Sequence, residues 1–349
     1  DKLRDSYHHL SHLSTLLPFY LSPYTHSTLL PFSLPSPLDM ILLWACSGAF
    51  AGLLFLIAVR YYVKGKNWKS KQSARGKTFV VTGANSGIGR ALIEELSMRG
   101  ADRVVLACRS PQRAEDARKE MIENGAEPDR VFVEIVDLMS FDSVIAFCDR
   151  VKDKFSTVDV LVCNAGVLKA SGQTENGHEK LLQANYLGHF LMVEYLRARA
   201  NLRRVVFVSS LVHKQCTVED LTVKLESGAL SMAQYERAKL AEVSYAKHLS
   251  TLGLESYSCN PGVVHTNILS GTWMEVFEVY FSKLMGFFMK SPLEGAQTPL
   301  MLALSPADKL KTGSYYSDCR IDSTHPLLND PAKIERLHQQ SIDLVKEFL

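Results

Sequence analysis

"KTFVVTGANSGIGRALIEELSMRG", residues 77–100, changes its hydrophobic period twice in a short distance. The β-branched run Thr78–Thr82 reads as a buried strand. Gly83, Gly87 and Gly89 read as a turn. Ala91, Leu92, Ile93, Leu96 and Met98 then follow helical spacing. A glycine-spaced turn between strand and helix lets backbone N–H groups approach a pyrophosphate, and the helix N-terminus supplies a favourable dipole. The spacing here is G-x-x-x-G-x-G, not G-x-G-x-x-G, and a plain tight turn could use the same glycines. The neighbouring segments have to decide.

They repeat the order. "DRVVLACR" (102–109), "RVFVEIVDL" (130–138), "VDVLVCNAG" (158–166), "RRVVFVSS" (203–210) and "ESYSCNPG" (255–262) read as further strands. Helical patterns separate them at 114–124, at "SVIAFCDRVKDKF", over about 175–199, and in "AQYERAKLAE" (233–242). Strands alternating with helices predict one doubly wound, Rossmann-type α/β domain with a parallel sheet, spanning residues 77–349. In such a sheet the ligand lies at the carboxyl ends of the strands, where the marked residues of this chain fall.

Ahead of that domain, residues 41–59, "ILLWACSGAFAGLLFLIAV", carry no charge. Nineteen residues at helical rise span roughly 28 Å, about one bilayer core. Arg60, Lys64, Lys66, Lys69, Lys71, Arg75 and Lys77 follow at once. That flank predicts a transmembrane anchor over 40–60, a basic linker over 61–76 and a cytosolic catalytic domain. A cleaved signal peptide would have a shorter apolar run, a basic leader and a small-residue cleavage site. Residues 1–39 show no sustained period. Met40 opens the anchor, so the expectation is a native start there, with 1–39 a translated leader or gene-model artefact.

Composition narrows the chemistry. With 39 Lys+Arg against 37 Asp+Glu, the formal charge of +2 lacks the basic excess of a nucleic-acid binder. The 7 cysteines form no C-x-x-C pair, and several sit in apolar runs, which predicts free buried thiols and no metal site.

From Lys77 to about Asp318 the chain resembles the short-chain dehydrogenase/reductase family. The likeness rests on T-G-x-x-x-G-I-G at Thr82–Gly89, Asp137-Leu138, N-A-G at 164–166, Asn185 in "QANYLGHF", and Ser209-Ser210. Y-x-x-x-K at 235–239 and P-G-x-x-x-T at Pro261–Thr266 complete it. The resemblance implies that Gly83, Asn85, Ser86, Gly87, Ile88 and Gly89 line the phosphate turn, and that Asp137 and Leu138 face the adenine. It places Asn164, Ala165 and Gly166 beside the cofactor ribose, and Pro261, Gly262, Val264 and Thr266 along the nicotinamide. Ser210 then polarises the substrate, Tyr235 is the general acid/base, Lys239 holds the ribose and lowers the tyrosine proton affinity, and Asn185 supports a relay water. The physics suits those roles, since hydride transfer to a carbonyl builds charge on oxygen, and a phenol of pKa about 10 needs a neighbouring cation to turn over near neutrality.

The second strand ends in Ala107-Cys108-Arg109-Ser110, with Arg109 where an acid would grip the 2′-hydroxyl of NAD. A guanidinium pairs with a 2′-phosphate, so the expected cofactor is NADP(H). The chain departs from the family's common pattern in three places. Cys163 replaces the first Asn of N-N-A-G, Ala238 replaces a serine, and "HKQCTVEDLTVKLESGALSM" widens the gap from Ser210 to Tyr235. That polar insert reads as a loop or short helix at the mouth of the site. The insert, the anchor, "LACRS", "SPLEGAQT" (291–298) and "TGSYYSDC" (312–319) resemble the retinol dehydrogenase branch. The apolar segment between Thr266 and Ser291 reads as a buried helix or as a lid over a lipophilic substrate. The leading expectation is an oxidoreductase of an endoplasmic reticulum or other organelle membrane, acting on retinol, retinal or similar molecules. A sterol, fatty-aldehyde or xenobiotic carbonyl reductase is an alternative within that chemistry. A cofactor-binding scaffold without catalysis is an alternative outside it. Family members often pair through helices, which leaves a homodimer open.

Overall fold

The computed structural model describes residues 36–217, 220–222, 232–265 and 286–349. The described chain divides between Leu54 and Phe55 into two units. Helix α1 (Pro37–Lys64) outruns the expected 41–59 segment at both ends. Ser36 and Asp39 close its start reciprocally: the Asp39 amide donates to Ser36 Oγ at 3.2 Å and the Ser36 amide to Asp39 Oδ2 at 3.0 Å. Among the described residues α1 alone is long and apolar enough to cross a membrane, with a mean hydropathy of 2.3 over an 18-residue stretch.

In the second unit the strands are β1 (Thr78–Thr82), β2 (Arg103–Cys108), β3 (Val131–Ile135), β4 (Thr157–Val158) and β5 (Val160–Cys163). They continue as β6 (Asn201–Leu202), β7 (Arg204–Val208), β8 (Glu255–Asn260), β9 (Tyr315–Ser317) and β10 (Arg320–Ile321). Eight of them form one sheet in the order β10-β9-β8-β7-β5-β1-β2-β3, parallel except for β10 on β9, while β4 and β6 pair separately. The expected parallel sheet is present. It extends beyond the expected strands through β9 and β10, which are too short to carry a period.

Alternate residues of each central strand feed opposite cores. Val80, Leu161, Cys163, Val205 and Phe207 join helices α4 (Phe141–Lys154), α6 (Gly188–Arg199) and α7 (Met232–Thr251). Phe79, Val81, Val160, Val162 and Val206 join α2 (Gly87–Met98), α3 (Pro111–Glu123) and α8 (Pro292–Leu304). Helix α9 (Pro331–Val345) lies outside α7, where the rings of His338 and His248 stack at 3.7 Å. β1 lies between β2 and β5, so the chain order reverses at β1 and opens a crevice at the carboxyl ends.

The insert after Ser210 begins with a 3₁₀ turn, Leu211–Gln215. Farther on, Gln340 of α9 pins it, donating to Asp220 Oδ1 at 3.0 Å and accepting from the Leu221 amide at 3.2 Å. Residues 218–219 and 223–231 of the insert, Thr266, and residues 267–285 of the expected lid between Thr266 and Ser291 lie outside the described residues.

Candidate active site

The glycine turn bounds a cleft of about 350 Å³ at the carboxyl end of β1. Gly83 and Gly87 have φ of +67° and +57°, which side-chain-bearing residues rarely adopt. Gly89 is needed for proximity: a Cβ there would meet Asn164 Nδ2 at 2.5 Å and the Gly83 carbonyl oxygen at 2.6 Å. Ser86 caps α2 without a side-chain hydrogen bond, leaving the first N–H groups of that helix directed at the cleft. Asn85, Ser86, Gly87, Ile88, Arg109, Asp137, Leu138, Asn164, Ala165 and Gly166 line it with Gly83.

A polar network that motif reading missed holds the N-A-G turn. His189 Nδ1 lies 3.1 Å from the Asn185 carbonyl, which can only accept, so Nδ1 carries the proton and Nε2 accepts. The Thr82 hydroxyl therefore donates to His189 Nε2 at 2.9 Å, and its oxygen accepts from the amides of Asn164 and Ala165, both at 2.9 Å. Burial pushes His189 down to about 4, which keeps the ring neutral. Asn185 lies in a π-helical turn, Gln183–Leu187, between the short helix α5 (Lys180–Leu182) and α6. Its side chain grips one backbone group pair, accepting from the Val167 amide at 2.7 Å and donating to the Val167 carbonyl at 2.9 Å. Single π turns inside helices recur at functional sites.

Tyr235 and Lys239 stand one turn apart on α7, with the lysine Nζ 5.5 Å from the tyrosine ring centre. Both are buried. The two serines after β7 divide their work: Ser209 donates to the Lys239 carbonyl at 2.9 Å, whereas Ser210 caps the 3₁₀ turn and its hydroxyl favours the Tyr235 phenolate. Burial nevertheless raises the Tyr235 phenol above its ordinary value, and Lys239 and Ser210 offset that only in part. The expected lysine effect is therefore present but outweighed. A Cβ on Gly166 would lie 2.8 Å from Asn185 Oδ1 and 3.9 Å from Lys239 Nζ, so the turn after β5 brings these groups to one point.

The remaining expected residues divide. Gly262 has φ +88°, and Val264 bridges Lys290. A Cβ on Gly295 would meet both Val264 and Ile88, which places the Pro261–Val264 stretch beside the glycine turn, although none of it lines the cleft. Arg109 is exposed at the lip of the cleft beside Arg113, a second cation the sequence reading missed.

Relatives with this arrangement are known. The family model for short chain dehydrogenases matches residues 77–222. Mouse (Mus musculus) retinol dehydrogenase 14 is 33% identical over 317 residues, covering 84% of this chain and 94% of its own. The chain belongs to the short-chain dehydrogenase/reductase family, in its retinol dehydrogenase branch. Bovine (Bos taurus) dehydrogenase/reductase SDR family member 13 is 33% identical over 302 residues, covering 83% of this chain and 79% of its own. The crystal structure of an uncharacterized protein from Mycobacterium paratuberculosis aligns with a TM-score of 0.63 at 27% identity, over 80% of this chain and 98% of that one. Short-chain dehydrogenases/reductases act on alcohols and carbonyls with a nicotinamide dinucleotide. The cleft fits such a cofactor: side chains are excluded from the turn at Gly83 and Gly89, and free helix N–H groups meet a groove edged by two arginines.

Proposed function

We propose that this short-chain dehydrogenase/reductase is a membrane-anchored enzyme moving hydride between NADP(H) and a lipophilic alcohol or carbonyl of the retinoid class. The observation that carries the reading is the convergence of Tyr235, Lys239 and Ser210 at the end of β7, where Lys239 Nζ lies 3.9 Å from the place of a Cβ on Gly166, a residue of the cleft wall. Bound there, the nicotinamide supplies or takes up hydride. Tyr235 gives its phenolic proton to the developing alkoxide on reduction and recovers it on oxidation. Its raised proton affinity keeps it protonated for the first of these tasks. The Ser210 hydroxyl donates a second hydrogen bond to the same oxygen, and the Lys239 ammonium stabilises the phenolate left behind.

NADP(H) is favoured by Arg109 and Arg113 at the cleft's lip, where a 2′-phosphate gains charge-assisted hydrogen bonds. The retinoid class is favoured by the name of the mouse relative. An anchor with the domain in the cytosol is favoured by α1 and the basic run after it. Purified protein supplied with NADPH and all-trans-retinal tests the whole reading. Wild type oxidises NADPH, and Tyr235→Phe loses about a hundredfold or more of that turnover while still binding NADPH. Retained turnover in the variant means another group is the acid. NADPH binding without oxidation by any lipophilic carbonyl means the protein is a scaffold.

A further inference from the structure

Positions 235, 239 and 242 share one face of α7, and the third is an acid. Lys239 Nζ donates to Glu242 Oε1 at 2.9 Å and to the Val208 carbonyl at 3.0 Å. Side-chain exposure is 4% for the lysine and 0% for the glutamate. Two of the three ammonium N–H groups are thus committed to the protein, leaving one for a ligand. We propose that Glu242 is a positioning residue, a buried counter-charge that fixes the Lys239 ammonium and limits how strongly it acts on Tyr235. The proposal rests on the roles given above to Tyr235 and Lys239.

A carboxylate here is costly if its only task is to fill space. Desolvation of a buried pair consumes most of its attraction, and a neutral residue of equal volume packs as well. Glu242 Oε2 has no hydrogen-bond partner. Burial raises the Glu242 carboxyl above the ordinary range, and Lys239 and the Ser209 hydroxyl oppose that shift. Lys239 stays charged because Glu242 and Tyr235 offset the cost of its own burial. The other titratable groups that sense Glu242 are Cys163 on β5, Cys259 on β8, Tyr186 in the π turn and Tyr315 on β9. Burial holds all four in their neutral forms. Lys239 is the one cation acting on Glu242 among the described residues, so the compensation is essentially between these two. Removing the negative charge leaves the Tyr235 phenolate as the counter-charge that keeps Lys239 protonated, and it takes an anion away from the phenol. Both changes favour the phenolate.

The test reads Tyr235 ionisation directly, as the ultraviolet tyrosinate step that disappears in Tyr235→Phe. It is measured in the full chain with and without Glu242→Gln, which keeps the volume and the acceptor. The expected result is a Tyr235 step lower by about one pH unit, with the acid limb of kcat/KM for alcohol oxidation moving the same way. Glu242→Asp, which withdraws the charge by one methylene, shifts the step in the same direction by less, and it decides the matter if the glutamine variant does not fold. A step that stays in place or rises overturns the proposal. Wild-type protein that turns over no alcohol or carbonyl overturns the enzyme reading instead, and the titration still reports on Glu242.

Discussion

Arg109 illustrates what a single residue discloses. Its position one residue past β2 marks it in the sequence, and the structure sets it exposed at the lip of the cleft. Arg113, in the first turn of α3, escapes the motif because it belongs to no strand end, yet the fold returns it to the same lip. Thr82 and His189 escape for a different reason. A threonine closing a strand and a histidine inside a helix look like packing until the folded chain joins them at 2.9 Å. Glu242 is unmarked in the same way, since spacing shows its face but not its burial. The cofactor preference belongs to this scale. Arg109→Glu removes a cation from the lip and adds an anion that repels the 2′-phosphate. We expect NADPH affinity to fall roughly tenfold to a hundredfold relative to NADH, read by fluorescence titration of the two cofactors. Arg113→Ala shifts the ratio in the same direction by less. An unchanged ratio in Arg109→Glu would show that the 2′ end lies elsewhere.

At the scale of elements, the strand–turn–helix of residues 77–100 is legible because its punctuation is local: positive φ at Gly83 and Gly87 depends on the backbone alone. The π turn is not legible, because "QANYLGHF" carries an ordinary helical pattern. Its cause is tertiary, with Asn185 clamped to Val167 and Gly188 pressed so close to Leu138 that a Cβ would meet its carbonyl oxygen at 2.6 Å. Helix α7 is also more than its pattern. Half polar by composition, it is buried nearly all round, and several of its polar groups find partners, as Tyr245 does in donating to Glu194 of α6 at 2.6 Å. β5 stops at Cys163 and β8 at Asn260, where the chain turns to face the crevice. Gly89 tests this scale. In Gly89→Ala the methyl meets the Gly83 carbonyl, a backbone atom that cannot step aside cheaply. The cost is about 1–3 kcal/mol of stability together with weaker cofactor binding. Thermal melts with and without NADPH measure both, and a variant that melts and binds like wild type would mean that the turn relaxes.

For the whole molecule, the question is what would hold the proposed enzyme on a bilayer. Within the catalytic unit the tail of α1 is already fastened: Arg60 donates to both oxygens of Glu294 at 2.8 Å, at the start of α8. The basic linker is fastened too. The Trp68 amide donates to Gln297 at 3.0 Å, the Ala74 amide to the Arg99 carbonyl at 3.1 Å, and the Arg99 guanidinium covers the Trp68 ring at 5.3 Å. A bidentate, partly buried pair is worth more than an exposed one, though only by about 1 kcal/mol, so in the proposed anchoring the hold on a bilayer comes from apolar transfer. Residues 41–59 carry that transfer in the proposed anchor. Deleting them should leave the Arg60–Glu294 pair and the folded domain intact while releasing the protein from membranes. In sealed microsomes the full chain should resist alkaline carbonate extraction, and an epitope after Leu349 should be digested by protease added outside. The deletion variant should appear in the supernatant with NADPH binding unchanged. Protection of that epitope would reverse the proposed orientation. A deletion variant still held in the pellet after carbonate would place the membrane attachment on the catalytic unit itself.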